Sequence, residues 1–394
     1  MIRSEQALAL VLSHCPKAFK TREISLRDGL DFVLATDVIS LIDMPPFRQS
    51  AMDGYALNIG ETNSYKIIGE VQAGGVNSLS LNKGEAVRIF TGAPVPDKAD
   101  AVVIQEKVRL NGDTILVEDP VQPAMNIRPQ GEQIKKGAVA LAKGTSIKGT
   151  HIGFLTGLGI TRIEVAEKPA IAVVVTGNEL VHAGQELPYG KIYESNSAML
   201  IAVLKELGYT NTRVIAIKDH FESTKETLRE TIKNNDVVIV TGGVSVGDYD
   251  FVGKALNAIG VDEIFHKVRQ KPGKPLYFGK KEETAIFGLP GNPAAALTCF
   301  YVYVYPLLKK YQGAEEAHLL TILLPLLTDY TVVGGDRAQF LKAKIGAAGV
   351  EILTGQSSAM LSAFGTANAL VYVPQDSIKL EKGEMVKTML RPIT

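Results

Sequence analysis

Four apolar runs between residues 170 and 290, "AIAVVVTG", "TRVIAI", "DVVIVTGG" and "AIFGLP", alternate with segments of helical spacing. This alternation restricts the fold more than any other feature. The intervening stretches "SNSAMLIAVLKELG" and "FESTKETLRETIKN", a helix over about 250–259 and a long helix from Pro293 complete the rhythm. Strands that are apolar on both sides need cover on both faces, so residues 169–318 are expected to form βαβ units in a mostly parallel, three-layer α/β/α domain. Right-handed crossovers then bring the strand carboxyl ends to one edge, where open α/β sheets bind ligands.

The remaining sequence lacks this rhythm. Residues 47–145 carry short β-rich runs such as "SYKIIGEV", "EAVRIF" and "TILVED" between Gly, Pro and Asn turns, which predicts an inserted β domain. Residues 1–46 and 146–168 are expected to form a discontinuous helical/β region, with a helix over 4–15, helix and then extended chain in "SLRDGLDFVLATDVIS", and a return segment that comes back to the N-terminal helix. Residues 319–394 read as a further β domain, and several domains suit a length of 394 residues.

Charge and cysteine content narrow the chemistry. Lys and Arg (42) balance Asp and Glu (42), so there is no overall positive field for general nucleic-acid binding. Cys15 and Cys299 are the only cysteines, which excludes a cysteine-rich zinc or iron-sulfur site and suits a reducing compartment. The start "MIRSEQALALVLSHC" reads as an amphipathic helix rather than a signal peptide, and runs such as "LLTILLPLL" are too short to span a bilayer. A cytoplasmic location without a membrane span is the expectation.

The predicted sheet edge gathers "TGNELV", "IKDH", "TGGVSVGDYD" and "GLPGNP". The third of these has neither G-x-G-x-x-G nor a P-loop lysine, so it is not a common nucleotide loop. Gly242 and Gly243 nevertheless permit close backbone approach, and Ser245 can donate to an anion. Asp248 and Asp250 could hold Mg²⁺ or cap the next helix. In "GLPGNP", Pro290 and Gly291 precede Asn292, the expected N-cap, and Pro293 at the first helical position, leaving amides suited to phosphate.

"HKVRQKPGKPLYFGK" adds Lys267, Arg269, Lys271 and Lys274, either a solvated charge run or a cationic wall for a phosphate-bearing or oxyanion substrate. Glu179 and Asp219 each follow a strand and could accept hydrogen bonds or bind Mg²⁺ through water. Asp53 and Thr91 occupy turns of the β domain that could reach a neighbouring edge or be ordinary turn chemistry. No paired histidine spacing and no G-x-S-x-G elbow is present, which argues against covalent catalysis.

Taken together in order, "PPFRQSAMDGYA", "RIFTGAPVP", "VVVTGNELV", "TGGVSVGDYDF", "KPGKP" and "GLPGNP" closely resemble the molybdopterin molybdenumtransferase family, related to the C-terminal part of gephyrin. The resemblance covers essentially the whole chain. It implies a homodimer with an elongated N-terminal region, an inserted β domain, a molybdopterin-binding α/β domain and a C-terminal β barrel-like domain. It also implies insertion of molybdate into adenylylated molybdopterin, assisted by Mg²⁺, with release of AMP. Expected partners are the molybdopterin adenylyltransferase and acceptor molybdoenzymes or their chaperones.

Carried over by motif, Asp53, Thr91, Glu179, Asp219, Asp250, Lys267 and Lys271 are the expected catalytic residues, with Glu179, Asp219 and Asp250 as metal ligands. Gly242, Gly243, Ser245, Lys274, Pro290, Gly291 and Asn292 would bind the pterin phosphate, with Ser357 and Ser358 of "TGQSSAML" contributing from the C-terminal domain. Arg48 and Gln49 replace the usual "DN" of the first motif, Gln133 replaces an aspartate, and Asn178 stands where "TGDEL" is commoner. These departures leave open a binding scaffold or specialised paralogue with weak catalysis, and tungstate as the oxyanion. The adenylyltransferase itself would share the central domain without needing the flanking regions.

Overall fold

The computed structural model describes residues 1–16, 20–75, 79–217, 220–243, 251–314 and 316–392. Its centre is a six-stranded sheet in the order Thr212–Ile217, Ile171–Thr176, Val237–Thr241, Thr284–Leu289, Tyr277–Lys281, Asp262–His266. The first four strands are parallel, as expected from the apolar runs. Tyr277–Lys281 runs antiparallel to them and Asp262–His266 antiparallel to it in turn, which extends the sheet beyond the sequence reading, where "HKVRQKPGKPLYFGK" lay between elements.

Alternate residues of the central strands feed different cores, because successive side chains point to opposite faces. Ile171, Val173, Val237, Ile239 and Phe287 pack on one side beneath the helix Asn196–Glu206 and the long C-terminal helix of the domain. Val174, Val238, Val240 and Ile286 pack on the other, under the helices Phe221–Lys233 and Phe251–Ala258. The long helix begins at Pro293 and passes through a π-helical stretch, Phe300–Val304, before continuing over Tyr305–Tyr311. Pro306 supplies the cause, since it has no N–H to donate and its ring crowds the carbonyl one turn earlier.

The N-terminal region departs from expectation in two ways. Its first helix, Ser4–Ser13, places Ala7 and Val11 in the core of the central domain. The return segment instead pairs its strand Arg162–Ala166 with Thr21–Ser25 and shares a core of Leu26, Leu34, Ile147 and Leu155. "SLRDGLDFVLATDVIS" ends extended in the strand Val38–Ile39 as expected, but its helix is only the short 3₁₀ turn Leu26–Asp28, because Gly29 and the positive φ of Asp31 interrupt any longer one.

The inserted β region forms a six-stranded sheet, from Ala101–Ile104 at one edge to Val108–Asn111 at the other, with a separate core on each face. The C-terminal sheet runs through Ala338–Gly346, Ala369–Val373, Met385–Leu390 and Thr321–Pro325, with Gly349–Ile352 on the far side of the first. A bridge between Leu326 and Val350 joins the two ends, which gives the barrel-like closure. Among the described residues, no helix is long and apolar enough to cross a membrane.

Candidate active site

A cavity of about 740 Å³ opens at the carboxyl ends of the parallel strands. Thr176, Thr241 and Gly242 form its floor where two strands end, and Pro290, Gly291 and Asn292 follow a third. Gly242 has φ +83°, and a Cβ there would lie 2.5 Å from the Thr176 carbonyl oxygen. Only glycine lets the two strand ends meet so closely. Gly243, at φ +60°, packs toward Val252 and does not line the cavity.

The lysine wall is built on a buried polar network. Gln270 is fully buried, and its amide nitrogen donates to the Gly273 carbonyl at 3.3 Å and to the Cys299 sulfur at 3.4 Å. Its amide oxygen accepts from the Tyr303 hydroxyl. Burial pushes the Cys299 thiol up to about 12, so the sulfur is an inert packing and hydrogen-bonding atom. Gly273, at φ +93°, sits with its missing Cβ only 2.4 Å from that sulfur. Lys271 and Lys274 flank this turn and both line the cavity, while the Lys271 ammonium also reaches the Val333 carbonyl at 3.4 Å. Lys267 lies outside the lining, at φ +71°, with its backbone carbonyl taken by the N–H of Ile2.

The C-terminal domain supplies the facing wall. Gln270 and Lys271 pair in parallel with Ala338 and Gln339, which brings the adjacent Arg337 into the lining. Asn292 stands at the N-cap position with Pro293 next, as expected, but its side chain makes no cap bond. It donates instead to the Ser358 hydroxyl at 2.9 Å, and the Ser358 carbonyl accepts from the Ala295 amide at 3.2 Å. Of the amides expected to be left at this helix start, the C-terminal domain takes that of Ala295. Ser357 does not line the cavity; its carbonyl accepts from the buried Lys342 ammonium at 3.1 Å, which fixes the turn that carries Ser358.

Glu179 is the acidic residue of the predicted set that lies in the lining and among the described residues. A Cβ on Gly177 would come within 2.9 Å of both its carboxylate oxygens, so glycine leaves the space into which this carboxylate folds. Asp219, Ser245, Asp248 and Asp250 lie outside the described residues. Among the described residues, no three His, Cys, Asp or Glu side chains converge on one point. Mg²⁺ keeps several waters and needs only one or two carboxylates beside substrate phosphates, so the exposed Glu179 fits that requirement.

Asp53 and Thr91 are brought together, but not at this cavity. The Thr91 backbone N–H and hydroxyl donate to one Asp53 carboxylate oxygen at 2.7 and 2.8 Å. Those two bonds, the backbone one foremost, hold the Asp53 carboxyl below the usual range, and Arg88 adds to the effect. The departures beside this pair have structural work. Arg48 donates to the carbonyls of Pro96, Asp97 and Ala99, and Gln49 donates to that of Gly92 at 3.1 Å.

Sequence reasoning missed Glu194, Asn196, Gln270 and Arg337, all of which line the cavity. Glu194 accepts from the Ser197 backbone N–H and hydroxyl, and Asn196 donates to the Gly291 carbonyl at 2.8 Å. Their positions at a helix start were legible. That Arg337 faces the same space follows only from tertiary packing.

Residues 2–159 match the MoeA N-terminal region (domain I and II), residues 172–310 a probable molybdopterin binding domain, and residues 326–390 the MoeA C-terminal region (domain IV). The chain is 33% identical to the molybdopterin molybdenumtransferase of Haemophilus influenzae, covering 98% of each. It is 32% identical to that of Staphylococcus epidermidis, covering 94% of this chain and 91% of the other. The solved molybdopterin biosynthesis moeA protein of Pyrococcus horikoshii OT3 superposes with a TM-score of 0.87 at 30% identity, covering 99% of this chain and 100% of that one.

Proposed function

The chain belongs to the molybdopterin molybdenumtransferase family, which has its role in molybdenum cofactor biosynthesis, and from that membership we propose that it inserts molybdate into adenylylated molybdopterin with release of AMP. The observation that carries this reading is the gathering of Lys271, Lys274, Arg337 and Gly242 with an exposed Glu179 around one cavity at the sheet edge. Two anionic substrates need cations that are held in place before binding, and the Gln270 network supplies that support. Lys271 and Lys274 bind the oxyanion or phosphate oxygens, while Gly242 admits a phosphate close to the backbone. Arg337 adds a planar fork suited to the same oxygens.

Mg²⁺, when bound, would be held by Glu179 with Asp219 and Asp250, and would supply charge neutralisation at the phosphoanhydride. Gly177 gives the Glu179 carboxylate room to turn toward that position. Asp53 and Thr91, exposed and fixed to each other, act on the cavity of a second copy in a homodimer. Ser245 and Gly243 belong to the phosphate loop, and Lys267 supports the lysine segment through its backbone. The working location is the cytoplasm, where the molybdopterin adenylyltransferase supplies the substrate and molybdoenzymes or their chaperones accept the product.

One assay tests the reading: AMP release and metal insertion followed together, with Mg²⁺ present or chelated, and with molybdate or tungstate. Coupled, Mg²⁺-dependent formation of both products is expected. Tight binding of adenylylated molybdopterin without AMP release would replace the enzyme reading with a scaffold.

A further inference from the structure

A second cavity, of about 650 Å³, lies where the N-terminal return segment, the long helix and the C-terminal strand meet. Lys148, Lys309 and Arg391 line it together with the Ser146 hydroxyl, and Glu316 is the acid among the described residues of the lining. The Lys309 ammonium has the Ser146 hydroxyl at 3.4 Å, and among the described residues no carboxylate lies within ion-pair distance of it. Lys148 pairs with Asp31 at 2.7 Å.

That single carboxylate serves too many cations. Burial first, and then the charge of Lys148, hold the Lys309 ammonium below the ordinary lysine range, with Asp31 opposing only in part. Lys168 is depressed in the same way, by burial first, with Lys309 and Arg22 working against Asp31. Arg391 spends its terminal nitrogens on the carbonyls of Phe364 and Ala367 and on the Tyr301 hydroxyl. Its Nε is buried without a partner among the described residues. An excess of positive charge, partly buried at Lys309 and matched by one carboxylate at Lys148, is what a bound dianion offsets.

We propose that this cavity binds a phosphate-bearing small molecule, its dianion held by Lys309 and Lys148 with the Ser146 hydroxyl. Two lysines and a hydroxyl match a double charge spread over several acceptor oxygens better than a single carboxylate. The volume leaves room for an organic group beyond the phosphate. This site is independent of the reading given to the first cavity, since none of its residues lines that space.

The test uses the full chain carrying Lys271→Met, Lys274→Met and Arg337→Met, so that the first cavity loses the cations assigned to phosphate there. Calorimetric titration with inorganic phosphate and with AMP is expected to show one saturable site per chain for at least one of them. Tighter binding of AMP identifies an organic phosphate as the occupant; equal or tighter binding of phosphate identifies the free ion. Adding Lys309→Met, which keeps the stem and the helix propensity, is expected to weaken binding at least about tenfold. Lys148→Met provides the same test if the first variant fails to fold. No saturable binding up to about 10 mM, or binding indifferent to either lysine, overturns the proposal.

Discussion

The Lys271–Lys274 turn and the Asp53–Thr91 pair are equally conspicuous as short motifs, yet the fold treats them differently. The lysine turn stands on a buried network of Gln270, Tyr303 and Cys299 and is paired across to the C-terminal sheet. The acid and threonine are exposed, fasten to each other, and sit outside the cavity that the lysines line. Rigid placement in the first case comes from the interior; in the second it comes from two local bonds. A motif can therefore be well ordered without belonging to the site nearest in the same chain.

The largest effect expected is at the lysine turn: Lys271→Ala should lower the turnover of the AMP-release assay by about 10²–10³-fold. Unchanged turnover would remove this cavity from the reaction. Mixing chains carrying Asp53→Ala with chains carrying Lys271→Ala tests whether the two regions work across a two-fold axis. Random exchange should restore about a quarter of wild-type activity, because half the dimers then hold one intact site. No restoration from two inactive parents places both residues in one chain's chemistry, and an Asp53→Ala chain that is active alone removes Asp53 from it.

Smaller effects probe the supports. Gly273→Ala meets a positive φ, worth about 1–2 kcal/mol, and a steric conflict with the Cys299 sulfur in addition. Its chain should melt earlier in urea and show a raised KM. Gln270→Leu strands the Tyr303 hydroxyl and should cost about 1–3 kcal/mol in the same denaturation. A change confined to stability, with KM untouched, would show that the network does not position the lysines.

The smallest effect belongs to the exposed pair. Thr91→Val removes the hydroxyl donor, so the Asp53 carboxyl should rise toward its ordinary range in an NMR titration while keeping the backbone bond. Its depressed folded value means that the interaction stabilises the fold at neutral pH, and that this contribution fades as pH falls through the folded value, below the usual carboxylate range. An unmoved titration would break the assignment of those two bonds as its cause.

The parallel strands were legible because each is apolar on both faces, as in "DVVIV" and "AIAVVV". The antiparallel pair Asp262–His266 and Tyr277–Lys281 was not, since lysines, prolines and a glycine between them mimic a surface loop. At the cavity, Glu179, Gly242, Lys271, Lys274 and Asn292 could be read from loops that follow strands. Arg337 could not, because its local sequence "GGDRAQF" describes a turn and only a cross-domain strand pairing brings it there. The side chain of Asn292 likewise looked like a helix cap, and its bond to Ser358 is decided by a partner 66 residues away.

The parallel pairing of Gln270 and Lys271 with Ala338 and Gln339 has a consequence for modularity. The C-terminal region looks separable, with its own core and closed sheet. Yet the lysine turn is stitched into that sheet as an additional strand, so any tilt of the barrel would carry Lys271 and Arg337 along as one jaw. Excising or transplanting the C-terminal region would not trim an appendage; it would pull out the seam on which half the cavity hangs.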